Sequence, residues 1–336
     1  MIRHCKVLPG GTIFLGRQVS CDGFSLRPVR VITHVHDDHI RGFESSLGVH
    51  EAIVMLPATK DLLLAIKGKR SMEIRRNLIA VEASTLFSFG REKITLVAAN
   101  HILGSAQVLV ETEEGYRVAY TVDFGWPTTV LKVEELVIDA TYGSPEYVRA
   151  YKEEDVIRDL VELVDDLVRK QRIRVCVKAF TGRLQYAMQQ LQGRVNVPFL
   201  AGRRQTRIAE VYRDYGVLVD EVVDRMSPEG VRIANEKEPF VTFHHLAEKI
   251  PETEYDVCVY ISAYMVPKED PVIQTGSRTY RVALTDHADF NETLAYVQES
   301  APKVVLVDNS RGGDARSLAT EIKSRLGIEA VVGGYG

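Results

Sequence analysis

An α/β protein built as two units, one inserted into the other, is what this chain of 336 residues predicts. Three observations carry that expectation. Up to about residue 145 the chain is dense in short apolar or alternating segments separated by turn residues. From there to about residue 275, helical and strand patterns alternate. Beyond that point, strand, helix and strand patterns return. The simplest organisation is one domain made of residues 1–145 and 276–336, with a second α/β unit, 146–275, inserted between its halves.

In the first part, Thr12–Leu15, Val29–Thr33, Ala52–Met55, Ile94–Ala98, Gln107–Glu111 and Arg117–Val122 read as strands. Gly10-Gly11, Gly90 and Glu113-Glu114-Gly115 punctuate them. The character changes near Gly143-Ser144-Pro145. From Glu153 to Lys170 apolar residues recur at helical spacing, with acids early and bases late, as the helix dipole favours. A strand at Arg174–Val177, a helix from Arg183, a strand near Val197–Leu200 and a helix from Arg203 follow, and the unit is expected to end before the strand Val257–Ile261. The last part reads as Arg281–Leu284 (strand), Asn291–Glu299 (helix), Lys303–Val307 (strand), Ala315–Leu326 (helix) and Glu329–Val332 (strand).

Composition narrows the class. With 45% hydrophobic and 26% charged residues the chain reads as globular rather than disordered or fibrous. No apolar run reaches the roughly 18 residues that a membrane span needs, so no membrane partner is expected. The stretch Met1-Ile-Arg-His-Cys-Lys lacks a signal peptide's apolar core, which makes cytoplasmic residence the expectation. Cys5, Cys21, Cys176 and Cys258 form no C-x-x-C pair and read as small core fillers. The net charge of −4 does not advertise nucleic-acid binding. It does not exclude it either, because local patches and bound metals carry the field at a site.

The strongest signal is Thr33-His34-Val35-His36-Asp37-Asp38-His39, directly after an apolar strand. Residues i and i+2 at a strand end can point the same way, so His34 and His36 can share one ion. Asp38 and His39 follow where the chain turns, and can face a second. Imidazole and carboxylate donors suit Zn²⁺ or Mn²⁺. The bland alternative, an exposed polar loop, accounts poorly for three histidines and an aspartate within six positions. His101 and Asp123 each stand just after a strand, where a scaffold presents functional groups.

These residues resemble the metal motifs of the metallo-β-lactamase superfamily. The resemblance implies that His34, His36 and His101 hold one zinc, that Asp38 and His39 hold another, and that Asp123 bridges. It also makes Asp22, which alone reads as an Asp-Gly turn, a support for the site from a strand end. Three further segments resemble the beta-CASP nucleases. Val137-Ile138-Asp139-Ala140-Thr141-Tyr142-Gly143 matches their acid-then-T-Y-G motif, and Leu284-Thr285-Asp286-His287-Ala288-Asp289-Phe290 matches the segment that supplies a further ligand histidine, His287. Lys178-Ala179-Phe180-Thr181-Gly182-Arg183 matches the Gly-Arg helix start of the inserted domain. The implied fold is a metallo-β-lactamase αββα sandwich with an inserted α/β beta-CASP domain.

Physical chemistry agrees with those assignments. Gly182-Arg183 opens a helix whose free N–H groups and guanidinium suit a phosphate. Asp139 can fix the tautomer of a ligand histidine. Basic clusters at Lys67, Lys69, Arg70, Arg75 and Arg76, and at Arg203, Arg204 and Arg207, suit either a nucleic-acid backbone or solvent. His4, His50, His244 and His245 match no motif.

The implied reaction is phosphodiester hydrolysis supported by two zinc ions, with Asp38 helping to take the proton from water and Asp139 and His287 completing the catalytic group. In RNA-cleaving members a histidine follows the apolar strand near the end. Here Val304–Val307 leads to Asp308-Asn309. Asn309 and the Asn100-His101 pair lean towards the DNA-repair (Artemis and Apollo) group. Ile102-Leu103-Gly104-Ser105 and Asp286-His287-Ala288-Asp289 are similar to bacterial ligase-associated exonucleases. The expectation is a 5′-to-3′ exonuclease on single-stranded DNA in repair, with an RNA-processing ribonuclease as the alternative. A small-molecule metallohydrolase would leave the insertion and the His287 segment unexplained, and a non-enzymatic scaffold would not retain every ligand position.

Overall fold

Two six- and seven-stranded sheets packed face to face make the first unit of this computed structural model, which describes residues 2–68, 75–218, 220–236, 238–265 and 270–334. The first sheet runs in chain order through Cys5–Val7, Thr12–Leu15, Val19–Asp22, Val29–Val31, Ala52–Met55 and Leu78–Ala80. Its first three strands are antiparallel neighbours, and its last three add in parallel. The second sheet is ordered Glu329–Gly333, Val304–Asp308, Glu135–Ile138, Arg117–Tyr120, Ala106–Glu111, Glu92–Ala98, Leu86–Phe89.

The period-two pattern of the strands decides which residues meet. Val29 and Val31 from the first sheet share a core with Val118, Tyr120, Val137 and Leu306 from the second. The residues between them point the other way. Ala119, Leu136, Ile138, Val305 and Val307 pack against Leu294 and Val297 of the helix Phe290–Ser300 and Leu318 of the helix Ala315–Glu321. Each fully buried Val, Leu or Ile contributes about 1.5–3 kcal/mol relative to exposure, so these two interleaved cores dominate the stability of the unit. No helix among the described residues is long and apolar enough to cross a membrane.

On the outer face of the first sheet the residue between Val29 and Val31 is Arg30, which is wholly buried. Its guanidinium donates to Ser46 Oγ (2.6 Å), to the carbonyls of Arg41 (2.8 Å) and His39 (3.4 Å), and to the carbonyl of Asp22. Burial lowers its pKa to about 10, and nearby Asp22 opposes that shift, so it remains charged at neutral pH. One arginine thus pins the backbone on both sides of the histidine-rich segment.

The chain divides by contact into Met1–Val148 with Asp286–Gly336, and Arg149–Thr285. The second unit carries a seven-stranded sheet ordered Val223–Asp224, Phe199–Ala201, Val241–His245, Val175–Ala179, Val257–Ile261, Thr279–Val282, Val272–Gly276. All pairings are parallel except the last hairpin. Two expectations are corrected here. The strand expected at Arg281–Leu284 in the outer domain is Thr279–Val282 and pairs with Val257–Ile261 inside the second unit. The boundary accordingly falls after Thr285, not after 275. A strand pattern is local, whereas the sheet edge it joins is not.

Cys176 and Cys258, distant in sequence, are directly opposed on neighbouring strands, and all four cysteines are buried free thiols. The long helix expected over Glu153–Lys170 is α-helical to Asp165 and then widens into a π turn over Asp166–Lys170.

Replacing Arg30 with Met is expected to destabilise the protein by about 3 kcal/mol or more, because it strands several buried carbonyl acceptors at once. Urea unfolding monitored by circular dichroism measures that loss, and a midpoint unchanged from wild type would count against the clamp.

Candidate metal centre

Loops at the ends of strands from both sheets of the first unit assemble one cluster of imidazoles and carboxylates. His34, His36, Asp38 and His39 follow the strand Val29–Val31; Asp22 is the last residue of Val19–Asp22. His101 follows Glu92–Ala98, Asp123 follows Arg117–Tyr120, Asp139 follows Glu135–Ile138, and His287 precedes the helix Phe290–Ser300. Two bends aim the acids. Asp22 and Val122 sit at φ 62° and φ 57°, a region that non-glycine residues occupy only under constraint. Val122 is β-branched and fully buried, so its bend places Asp123 at the cluster through backbone strain.

Gly125 closes the same loop. A Cβ there would lie 2.8 Å from the Asn100 carbonyl and 3.0 Å from that of Asp286, so only glycine fits. The Ala288 N–H donates to the Phe124 carbonyl at 2.6 Å. The loops carrying His101, Asp123 and His287 are thereby tied to one another.

The donor atoms converge. Ligand atoms of His34, His36, His101 and Asp123 all lie within 4.8 Å of one another, and so do those of His101, Asp286 and His287. His34 Nε2 is 3.0 Å from His36 Nδ1, which is 3.4 Å from His101 Nε2. Asp123 Oδ2 is 3.4 Å from His39 Nε2 and 3.8 Å from both His34 Nε2 and His101 Nε2. Asp38 Oδ2 is 3.4 Å from His39 Nε2.

The opposite nitrogens are each tied off. Thr33 Oγ1 donates to Asp22 Oδ1 (2.8 Å) and so accepts from His34 Nδ1–H (3.1 Å). His39 Nδ1–H donates to Asp22 Oδ2 at 2.8 Å. His101 Nδ1–H donates to the Asp286 carbonyl at 3.2 Å. His287 Nδ1–H donates to Asp139 Oδ2 at 3.2 Å, while Asp139 Oδ1 accepts from Thr141 N and Oγ1 at 3.0 and 2.8 Å. Every one of these tautomers leaves Nε2 with its lone pair, the form that binds a metal.

That arrangement fits a divalent cation. Lone pairs of His34 and His101 face His36, which as a neutral ring has at most one proton to share between them. His39 Nε2 is buried and makes no hydrogen bond, yet two carboxylates stand within 3.4 Å of it. A cation satisfies all of these atoms together.

The electrostatics divide these rings into two that burial keeps neutral and two whose protonation the neighbouring acids favour. Burial pushes His34 well below the ordinary imidazole range and His101 down to about 4, which keeps both neutral. Burial also opposes the charging of His39, but Asp22 and Asp123 raise it to about 10. For His287 burial is outweighed by the hydrogen bond to Asp139 and by Asp123, which raise it to about 9.

Other candidates lie elsewhere. Gly182 and Arg183 belong to the second unit, where Gly182, at φ 94°, caps the helix Arg183–Leu191 and the guanidinium lies 4.7 Å from the Tyr186 ring. Arg203, Arg204 and Arg207 are exposed on the helix Arg203–Asp214, and Lys67 pairs with Glu44 at 2.7 Å. Lys69 and Arg70 lie outside the described residues. His244 is a buried core residue between Thr242 (2.7 Å) and Glu248 (3.2 Å). Asp308 makes no part of the cluster; it accepts from Ser310 and Arg311. Sequence reasoning missed Thr33, Asp286, Arg30 and Arg311. Asp286 adjoins His287 in a quoted motif, but its use of a backbone carbonyl has no residue signature.

No family model matches the chain. An "uncharacterized protein in lig 3′ region" of Acidianus ambivalens is 34% identical over 132 residues, which cover 38% of this chain and 91% of that protein. A "probable DNA ligase" of Opitutus terrae is 22% identical over 89% of this chain, and the chain spans 28% of its length. Protein artemis of Gallus gallus is 23% identical over 94% of this chain and 50% of its own length. The crystal structure of a protein of unknown function from Enterococcus faecalis superposes with a TM-score of 0.58 at 13% identity, over 83% of this chain and 74% of that one. The chain has the metallo-β-lactamase fold and resembles the beta-CASP nucleases.

Proton linkage gives a prediction for the metal-stripped protein. His101 titrates near 4 when folded and near 6.5 when unfolded, so only the unfolded chain takes that proton in between, and stability falls as pH drops through this window. His39 and His287 have raised folded values. Their contribution is complete below 6.5 and is lost as pH rises towards about 10 and about 9. Thermal melts in chelator should therefore show greatest stability near pH 6.5, with a decline on both sides; a flat profile from pH 5 to 9 would contradict these assignments.

Proposed function

We propose that this chain is a zinc-dependent nuclease that hydrolyses phosphodiester bonds, acting as a 5′-to-3′ exonuclease on single-stranded DNA in repair. The observation that carries the reading is the convergence beside Asp123 of His36 with four histidines, His34, His39, His101 and His287, whose outward nitrogens are hydrogen-bonded away. His34, His36, His101 and Asp123 would hold one ion. Asp38, His39 and His287 would hold the second, with Asp123 shared. Mn²⁺ suits the same donors. Zinc held there supplies Lewis acidity for an attacking water and offsets charge on the phosphoryl oxygens.

The protein's own part is orientation and proton transfer. Asp22, Asp139 and the Asp286 carbonyl keep the ligand rings in one tautomer. Asp38, the most exposed carboxylate of the group, would accept the water proton. Gly182 and Arg183 are proposed to take a backbone phosphate at the opening of their helix. Nucleic acid as partner, and DNA over RNA, is supported by the names of the relatives: a probable DNA ligase and protein artemis. Cytoplasmic residence is part of the same proposal.

One labelled strand, made as DNA and as RNA and marked at either end, tests this. Metal-dependent release of mononucleotides from 5′-labelled DNA is expected, with His36→Ala reduced to background. Preferential loss of the RNA strand would transfer the protein to the RNA-processing alternative. Zinc-loaded protein that cuts neither strand would overturn the nuclease reading and direct attention to small-molecule esters and thioesters.

A further inference from the structure

Asp308 ends the strand Val304–Asp308 and is buried. Its Oδ1 accepts from Ser310 N (2.7 Å) and Ser310 Oγ (2.5 Å), which sets a tight turn. Its Oδ2 accepts from Arg311 Nη1 at 2.7 Å. The guanidinium so held is 9% exposed and reaches other segments as well. Its Nη2 donates to the carbonyl of Gly11 and lies 3.7 Å from Asp22 Oδ2. Its Nε lies 3.6 Å from Asp38 Oδ2, is buried, and makes no hydrogen bond.

We propose that Arg311 is a positioning residue for Asp38. Its charge, 3.6 Å from one oxygen of that carboxylate, holds it by ion pairing and offsets the acids gathered here: Asp22, Asp38, Asp123 and Asp308. The proposal rests on the metal-dependent reading above. Asp38 needs such a restraint more than the other donors do, because its side chain is 39% exposed whereas His34, His39 and His101 are fully enclosed. A planar fork that meets Asp308, Gly11 and Asp38 in different directions suits arginine and not lysine, which is a point charge on a flexible stem. Direct capture of substrate phosphate by Arg311 would require exposure that its burial and its acceptors deny.

Zinc titration of metal-stripped protein against a chromophoric chelator, with bound ions counted by native mass spectrometry, tests this without any nucleic acid. Wild type should take up two ions. Arg311→Ala should keep the tighter step and weaken the other by about 10–100-fold, the usual effect of removing a residue that orients a metal ligand. Arg311→Lys should fall between. Combined with Asp38→Ala, Arg311→Ala should add nothing further, since it acts through that carboxylate. Unchanged affinity at both steps in a variant with a normal melt, or fully additive losses in the double variant, would overturn the proposal. If Arg311→Ala does not fold, Arg311→Lys with Asp38→Asn decides the same cycle. Wild type that binds no zinc overturns this proposal together with the metal reading, whereas wild type that binds two ions but cuts no strand defeats only the nuclease reading.

Discussion

The carboxylate of Asp22 is the constraint on which the rest of the site depends. It is wholly buried, and it accepts from Thr33 N (3.0 Å), Thr33 Oγ1 (2.8 Å) and His39 Nδ1 (2.8 Å). A buried charge is tolerable only when its lone pairs are satisfied and opposite charge is near. Burial alone would raise its pKa, but His39, Arg311 and the Thr33 N–H hold it below the ordinary aspartate value. Through Thr33 it reaches His34, and directly it sets His39. One acid at a strand end therefore orients two ligands of the adjacent loop.

Two arginines make that charge density compatible with a folded core. Arg30 works from beneath, on the backbone carbonyls of Asp22, His39 and Arg41. Arg311 works from the side, on Asp308, Gly11 and the carboxylates. Both are almost fully buried and both bridge segments distant in sequence, which is where the fixed geometry of guanidinium outperforms ammonium. The left-handed residues Asp22 and Val122 store strain at the same place, held there by the core between the two sheets and the core behind the second.

Much of this was legible from local pattern. Strands such as Thr12–Leu15, Ala52–Met55 and Val257–Ile261 coincide with their expected bounds, because period-two alternation is written residue by residue. The H-x-H-x-D-H run was visible because so many donor types after one strand are rare; His101 and Asp123 gained weight from their similar placement after strands, and Asp139 and His287 from the resemblance to beta-CASP motifs. Membership of the hairpin Val272–Gly276 and Thr279–Val282 was not legible, since its alternation fits either sheet and only pairing with Val257–Ile261 settles it. The role of Arg311 was equally hidden: a guanidinium after an Asp-Asn-Ser turn reads as solvated.

The sequence by itself determined the class of chemistry, through the kinds of side chain that it places after apolar strands, and the alternation of units that makes an inserted α/β domain. Tertiary structure alone decided which nitrogen of each histidine faces inward. That choice depends on partners contributed by other segments, such as the Asp286 carbonyl for His101 and Asp139 for His287, 185 and 148 positions away. Hydrogen bonds across such separations obey distance and direction, and a linear pattern of residue types records neither.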